Sequence, residues 1–324
     1  MKRIVVETVG GPEQMKVVDA PKPTPGPRDA VVAVAFSGVN FIDVYYRTGL
    51  YKAEAPILLG NEASGTVDSV GSEVTDVRPG DRVAYTMVRG SYAEYAVVPA
   101  AQLVKIPDGV DLPTAAAIML QGMTAHYLTH STYKLEEGST CLVHAAAGGT
   151  GGLIVQMAKH LGARVFGTVS TEDKARQARE LGAEAVILYT TQDFEAETKQ
   201  LTNGRGVDVV YDSVGRTTFD KSLSVLRPRG TMALFGQSSG AVPPFDPSIL
   251  NAKGSLFLTR PSLAHHLLDR QELLWRATDV FRYVGSGTVK IRISGIYPLD
   301  QAASAHAELE GRRTLGKLLL RVSP

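Results

Sequence analysis

The sequence predicts an α/β chain, with a β-rich first part followed by a doubly wound parallel sheet. Three observations predict it. Before about residue 124, short Val-rich runs alternate with Gly, Pro and Asp punctuation. After residue 138 the rhythm becomes strand, tight loop, helix, and it repeats. At the first such crossing stands a glycine cluster, Gly148-Gly149-Thr150-Gly151-Gly152. The length, 324 residues, fits two domains, each with its own core.

In the first part, residues 30–36, 63–70, 82–85 and 92–98 read as strands. Turn residues separate them, as in 21–27 and in Arg78-Pro79-Gly80-Asp81. In the second part, residues 140–145 are a short apolar strand, and Leu153, Met157 and Leu161 recur at helical spacing after the glycines. Residues 163–169 are a second strand and 172–181 a helix, with Gly182 placed for a left-handed stop. Residues 186–188, 207–211, 231–235 and 255–258 are further strands, with helical patterns between most of them. A helix over 270–283 opens the tail, whose later extended pieces are candidates to return to the first domain.

Composition narrows the function classes. A net charge of +1 gives no overall electrostatic case for nucleic acid or an anionic membrane. The N-terminal stretch has no apolar core of signal-peptide length, and no window reaches the apolar length of a membrane span. Cys141 is the only cysteine, so no intrachain disulfide forms and a reducing, cytoplasmic compartment is expected. The seven histidines form no usable cluster; His265 and His266 are adjacent, so on a helix they would point different ways. His144 ends the first strand of the second part, where packing is expected, although a spatial triad is invisible in sequence.

The glycine cluster follows a strand and opens a helix. Backbone can approach a pyrophosphate closely there, and the helix N-terminus offers unpaired N–H groups and a positive dipole end. A plain Gly-rich turn is the alternative; the strand–loop–helix context favours phosphate. The pattern reads as A-x-x-G-x-x-G over Ala145, Gly148 and Gly151, since Ile154 fills the third glycine position counted from Gly149. No Gly-Lys-Ser/Thr follows, which excludes a P-loop. The second strand ends in Thr168-Val169-Ser170-Thr171 with no acid to grip a ribose 2′-hydroxyl, and Lys174 follows, with Arg176 and Arg179 near it. A hydroxyl and a cation suit a 2′-phosphate. The alternative for Lys174 is a solvated helix residue, and Glu172 and Asp173 oppose the positive field; the missing acid is the main reason to favour NADPH.

With these residues in view, the chain resembles the zinc-free quinone oxidoreductases of the medium-chain dehydrogenase/reductase superfamily, the zeta-crystallin-like group. The stretches that carry the resemblance are 40–45 (NFIDVY), 47–51 (RTGLY), 144–149 (HAAAGG), 210–215 (VYDSVG), 236–240 (GQSSG) and 259–262 (TRPS). Zinc members carry a Cys in the stretch equivalent to 37–40 and Gly-His-Glu where this chain has Gly60-Asn61-Glu62; the four-cysteine lobe loop has no counterpart between Val88 and Gln102. The resemblance therefore implies no metal site.

It further implies a GroES-like catalytic domain over 1–124, a Rossmann NADP-binding domain over 125–262 and a segment 263–324 that returns to the first. It also implies an interdomain active site and a homodimer joined through the Rossmann sheet, whose candidate edge is 255–259. By position it assigns Asn40, Asp43, Thr124 and Tyr127 to the nicotinamide and ribose, and Gly148, Gly149 and Thr150 to the pyrophosphate. Ser170, Lys174 and Tyr189 match the 2′-phosphate site. Ser213, Phe235, Gly236, Gln237, Ser238, Phe257, Leu258 and Arg260 match further cofactor-facing loops. Thr150 and Gln237 depart from the usual Val and Asn, without removing a backbone donor.

Zinc polarises an ordinary ketone, whereas a quinone or an enone is activated by its own conjugation. Hydrogen-bond donors then supply the remaining oxyanion stabilisation. Tyr45 and Tyr51, in the loop after Asn40, are the expected donors, and with Asn40 and Asp43 they form the expected catalytic set. A packing tyrosine is the alternative for each; the motif favours Tyr45 as donor and leaves both readings open for Tyr51. The leading expectation is NADPH-dependent quinone reduction. Zinc-free 2-alkenal, enone or enoyl-thioester reduction is the alternative in the same class, and an RNA-binding or structural crystallin-like role the alternative in another.

Overall fold

Strand Asp29–Val39 organises the first part of the chain. Its run of Val and Ala is buried on both faces for much of its length, as suits the centre of a sheet. In the computed structural model, which describes residues 1–311 and 314–322, it pairs antiparallel with Glu62–Val70, with Tyr95–Pro99 and with the late strand Lys317–Arg321. The sheet runs in the order Ile293–Pro298, Lys317–Arg321, Asp29–Val39, Glu62–Val70, Arg82–Thr86, Val104–Lys105. A smaller sheet joins Met15–Asp19, Lys2–Val6 and Ile57–Leu58.

The chain divides into two compact units. One holds Met1–Met123, Leu267–Gly287 and Ile291–Pro324, and the other Thr124–His266 and Thr288–Lys290. The second unit is built on a six-stranded, wholly parallel sheet. Its order is Ala185–Leu188, Arg164–Val169, Thr140–His144, Val207–Asp212, Leu226–Leu234, Phe257–Thr259. The strand order reverses between Thr140–His144 and Val207–Asp212, and in such sheets ligands bind beyond the carboxyl ends of the strands at that switch point.

Most elements fall where the sequence places them, and the differences have physical causes. The segment after Asn40 is not a loop: Phe41–Arg47 is a helix, seven residues long, with Asp43, Val44 and Arg47 buried. Its apolar stripe is too short to show a period. The helix Leu112–Tyr127 has no counterpart in the sequence reading. Residues 115–119 are all buried, so no polar face marks a helical repeat. The expected strand over 92–98 begins only at Tyr95, because Tyr92 and Ala93 instead meet the first strand, Tyr92 O accepting from Ile4 N at 2.8 Å. The strand expected from residue 255 starts at Phe257, after Gly254 and Ser255 take left-handed φ values of 109° and 56°. The helix Glu172–Leu181 stops at Gly182, whose φ is 116°.

Candidate active site

Two groups of residues merit a chemical reading, one in each unit. In the first unit Asn40 precedes helix Phe41–Arg47. Its backbone N–H donates to Asp43 Oδ2 at 3.1 Å, one half of a capping box. Its side-chain amide is fully engaged: Nδ2 donates to Glu62 Oε2 (2.9 Å) and Gly38 O (3.3 Å), while Oδ1 accepts from Lys317 Nζ (2.6 Å) and Gln121 Nε2 (3.4 Å). Lys317 Nζ also meets Glu62 Oε2 at 2.5 Å, and Glu62 Oε1 accepts from Leu120 N at 2.6 Å. Both partners of this ion pair are buried. Gly38 permits it, because a β-carbon there would lie 2.1 Å from Glu62 Oε2.

Asp43 is wholly buried and saturated. Oδ1 accepts from Gly60 N (3.1 Å) and Asn61 Nδ2 (2.7 Å), and Oδ2 from Asn40 N and from Tyr92 Oη (3.4 Å). Burial pushes its carboxyl up to about 6 against these hydrogen bonds. On the other side of the short helix the half-buried Tyr45 ring lies 5.2 Å from Tyr51, and Tyr51 lies 5.6 Å from Tyr46 in an edge contact. Arg89 places its guanidinium 4.9 Å from the centre of the Tyr46 ring.

The second unit collects its candidates at the carboxyl ends of the parallel strands. Ala145 has φ 52° and Gly148 caps helix Gly149–His160. Gly151 lets that helix start against the loop, since a β-carbon would fall 2.2 Å from Ala145 O. One strand over, Ser170 follows Arg164–Val169, and Thr171 caps the next helix by accepting from Lys174 N at 3.3 Å. Tyr189, half exposed, follows the neighbouring strand, and Thr190 Oγ1 donates to Ser170 O at 3.2 Å. Arg176 and Arg179 pair with Asp173 and Glu172, which accounts for both acids near this corner. Ser213, Phe235, Gly236, Gln237 and Ser238 are half-buried beyond the next strands, with Ser238 N donating to Ser213 O at 3.1 Å. Arg260 Nη1 donates to Leu234 O at 3.0 Å.

Four further candidates belong to other elements. Phe257, 63% exposed, and Leu258 lie within the edge strand rather than beyond its end. Thr124 is buried, and Tyr127 is buried with its ring stacked on His266 at 4.2 Å. The sequence did not reveal a buried cluster of His144, Ser222 and Asp212. Ser222 Oγ donates to Asp212 Oδ2 (3.1 Å), so it accepts from His144 Nε2 (2.9 Å). The serine proton points to the carboxylate and not to the imidazole, which is the wrong polarity for a nucleophile. Asp212 Oδ1 accepts from Val214 N and Gly215 N, so the cluster shapes the loop that bears Ser213. Lys317, Tyr92 and His306 were also missed; Lys317 lies 277 residues from its partner Asn40, beyond any local signal.

The donor set of the first unit does not fit zinc. Asn61 presents an amide nitrogen already bonded to Asp43, and Glu62 is neutralised by the Lys317 ammonium. Among the described residues no group of three His, Cys, Asp or Glu could hold a metal ion. The second unit does fit a dinucleotide phosphate, through its glycine loop, helix N-terminus and acid-free second strand.

Fold and site define a member of the medium-chain dehydrogenase/reductase superfamily, and the comparisons agree. The alcohol dehydrogenase GroES-like domain family matches residues 26–108, and the zinc-binding dehydrogenase family matches residues 149–269. The chain is 44% identical to a quinone oxidoreductase of Pseudomonas aeruginosa over 321 residues, covering 98% of this chain and 99% of that one. It is 42% identical to a 2-haloacrylate reductase of a Burkholderia species over 324 residues, covering 98% and 97%. The crystal structure of the Escherichia coli quinone oxidoreductase complexed with NADPH superposes with a TM-score of 0.97 at 41% identity, covering 99% of this chain and 100% of that one. The chain belongs to the quinone oxidoreductase family of that superfamily.

Proposed function

We propose that this protein reduces quinones with NADPH and uses no metal. The observation that carries the proposal is the buried Glu62–Lys317 pair around Asn40, which fills the metal-ligand corner with an organic cation. A conjugated acceptor needs no Lewis acid, so hydrogen-bond donors suffice. Tyr45 and Tyr51 are those donors, directing their hydroxyls at the acceptor oxygens. Asn40 and Asp43 hold the short helix that carries Tyr45, since their side chains are already satisfied within the protein.

When bound, NADPH supplies the reducing equivalents. Gly148, Gly149 and Thr150 would hold its pyrophosphate at the helix N-terminus. Ser170, Lys174 and Tyr189 would hold the 2′-phosphate, and Ser213, Phe235, Gly236, Gln237, Ser238 and Arg260 would border the remainder. Thr124 and Tyr127 keep their assignment to the nicotinamide and ribose, and Phe257 and Leu258 theirs to a cofactor-facing loop. Residues 1–124 with 263–324 serve as the catalytic domain and 125–262 as the dinucleotide domain.

A second reading is reduction of a conjugated alkene. The Burkholderia relative favours it, as does Arg89 over Tyr46, a cation beside the tyrosine group that suits an acceptor bearing a carboxylate. Steady-state NADPH oxidation with a naphthoquinone, a 2-alkenal, a 2-haloacrylate and a crotonyl thioester decides between them. Quinone reduction at the highest kcat/KM supports the first reading, and a preference for any of the others replaces it.

No described helix is long and apolar enough to cross a membrane. We place the protein in the cytoplasm, where the buried Cys141 would stay reduced. Its edge strand Phe257–Thr259, paired on one side only among the described residues and with Phe257 facing outward, supports a homodimer joined edge to edge. An RNA-binding role is not favoured at a net charge of +1.

A further inference from the structure

We propose that His306 and Tyr92 are positioning residues that lock helix Phe41–Arg47, and with it Tyr45, through a one-way chain of hydrogen bonds from Arg47 to Asp43. A helix of seven residues does not hold its own orientation in water. Its direction must come from anchors on its buried face. Asp43 and Arg47 stand one turn apart on that face, and both are buried.

Two side chains link these opposite charges. Arg47 Nη1 lies 3.1 Å from His306 Nδ1, Tyr92 Oη lies 3.0 Å from His306 Nε2, and Tyr92 Oη lies 3.4 Å from Asp43 Oδ2. The direction of every bond follows from chemistry. A guanidinium only donates, so Nδ1 accepts and carries no proton. The ring proton is therefore on Nε2, and it is donated to Tyr92 Oη. The tyrosine hydroxyl is left to donate to the carboxylate. Outward, Arg47 Nη2 meets Glu310 Oε1 at 2.9 Å and Nε donates to Gly10 O at 3.1 Å, which balances the arginine charge and ties it to a second segment.

The arrangement has one polarity. Reversing any member would set two donors or two acceptors face to face in a buried site, a defect costing more than the bond itself contributes. A neutral imidazole suits this position, and burial beside the Arg47 cation lowers its basicity to about 3. The groups facing the ring are Arg47, Tyr92 and, beyond them, Asp43 and Glu310; the nearest cation opposes protonation. Because Tyr45 projects from the opposite side of the same helix, a helix freed to rotate displaces its hydroxyl. The inference rests on the reading of Tyr45 as a donor to the acceptor.

The chain is tested on the wild-type protein by nitrogen-15 NMR of His306. The expected result is a neutral ring with its proton on Nε2 from pH 5 to 8; an imidazolium, or the Nδ1–H form, in that range overturns the proposal. The functional half is tested by two variants. His306→Leu should lower kcat for a naphthoquinone about tenfold while the Kd for NADPH stays within about twofold. His306→Gln, whose amide accepts at one end and donates at the other, should recover most of the loss. Equal losses in both variants, or a parallel loss of NADPH affinity, would show a packing role only and overturn it. An unchanged rate in Tyr45→Phe would remove the reading on which the functional half stands, an outcome separate from the NMR result.

Discussion

Tyr45 is held beside Tyr51 by a ring contact and by the Tyr51 N–H bonded to Tyr45 O at 3.0 Å, so its hydroxyl has a defined place. Tyr45→Phe should lower kcat/KM for a naphthoquinone about tenfold, the value of one hydrogen bond of about 1–1.5 kcal/mol. A loss of about a thousandfold would make Tyr45 an obligatory acid, which quinones do not need and enones do. Lys174 is proposed to meet the 2′-phosphate of the cofactor. Lys174→Ala should weaken NADPH about tenfold and leave NADH nearly unchanged, read by fluorescence titration. Equal affinity of the wild type for both cofactors would remove the 2′-phosphate assignment.

Asp43 adds a pH dependence. Its folded-state value of about 6 lies above the ordinary 3.8, so between those pH values the folded form binds the proton more tightly. Its contribution to stability is therefore greatest below about pH 4 and falls as pH rises towards 6, by up to about 3 kcal/mol. Carboxyl carbon NMR should show a midpoint near 6 for Asp43, and a midpoint below 4 would contradict this.

Among elements, those read well from sequence were the ones whose neighbours along the chain carry the information. The glycine run at 148–152, the strand before it and the acid-free end at Ser170 form one local unit, and the structure shows the parallel sheet they imply. Helix Phe41–Arg47 and helix Leu112–Tyr127 were not legible, one too short for a period and the other buried all round. The polar support of the first unit was illegible for another reason. Lys317, Tyr92 and His306 act only once strand Lys317–Arg321 and helix Ala302–Glu310 have joined elements from the start of the chain. From sequence Glu62 stands alone; in the structure it is half of a buried ion pair. Lys317→Met leaves that carboxylate buried and unpaired, and should destabilise the protein by about 3–5 kcal/mol in urea unfolding. Adding Glu62→Gln should restore much of the loss, and strictly additive effects would show that the two do not interact.

At the scale of the whole molecule, the proposed metal-free site and the choice of acceptor go together. The chain keeps the superfamily's two-part plan, while the corner that would bind zinc is closed by Asn61, Glu62 and Lys317. On the proposed reading the protein acts on acceptors that are already electrophilic, with NADPH held by a second unit whose glycine loop and helix N-terminus fit phosphate. The measurement that tests this most directly is the steady-state rate of NADPH oxidation by 1,4-naphthoquinone after exhaustive dialysis against a chelator, with elemental analysis of the same sample. The account predicts an undiminished rate with less than about one zinc per ten chains. A rate that vanishes on chelation and returns with zinc, at about one zinc per chain, would contradict it.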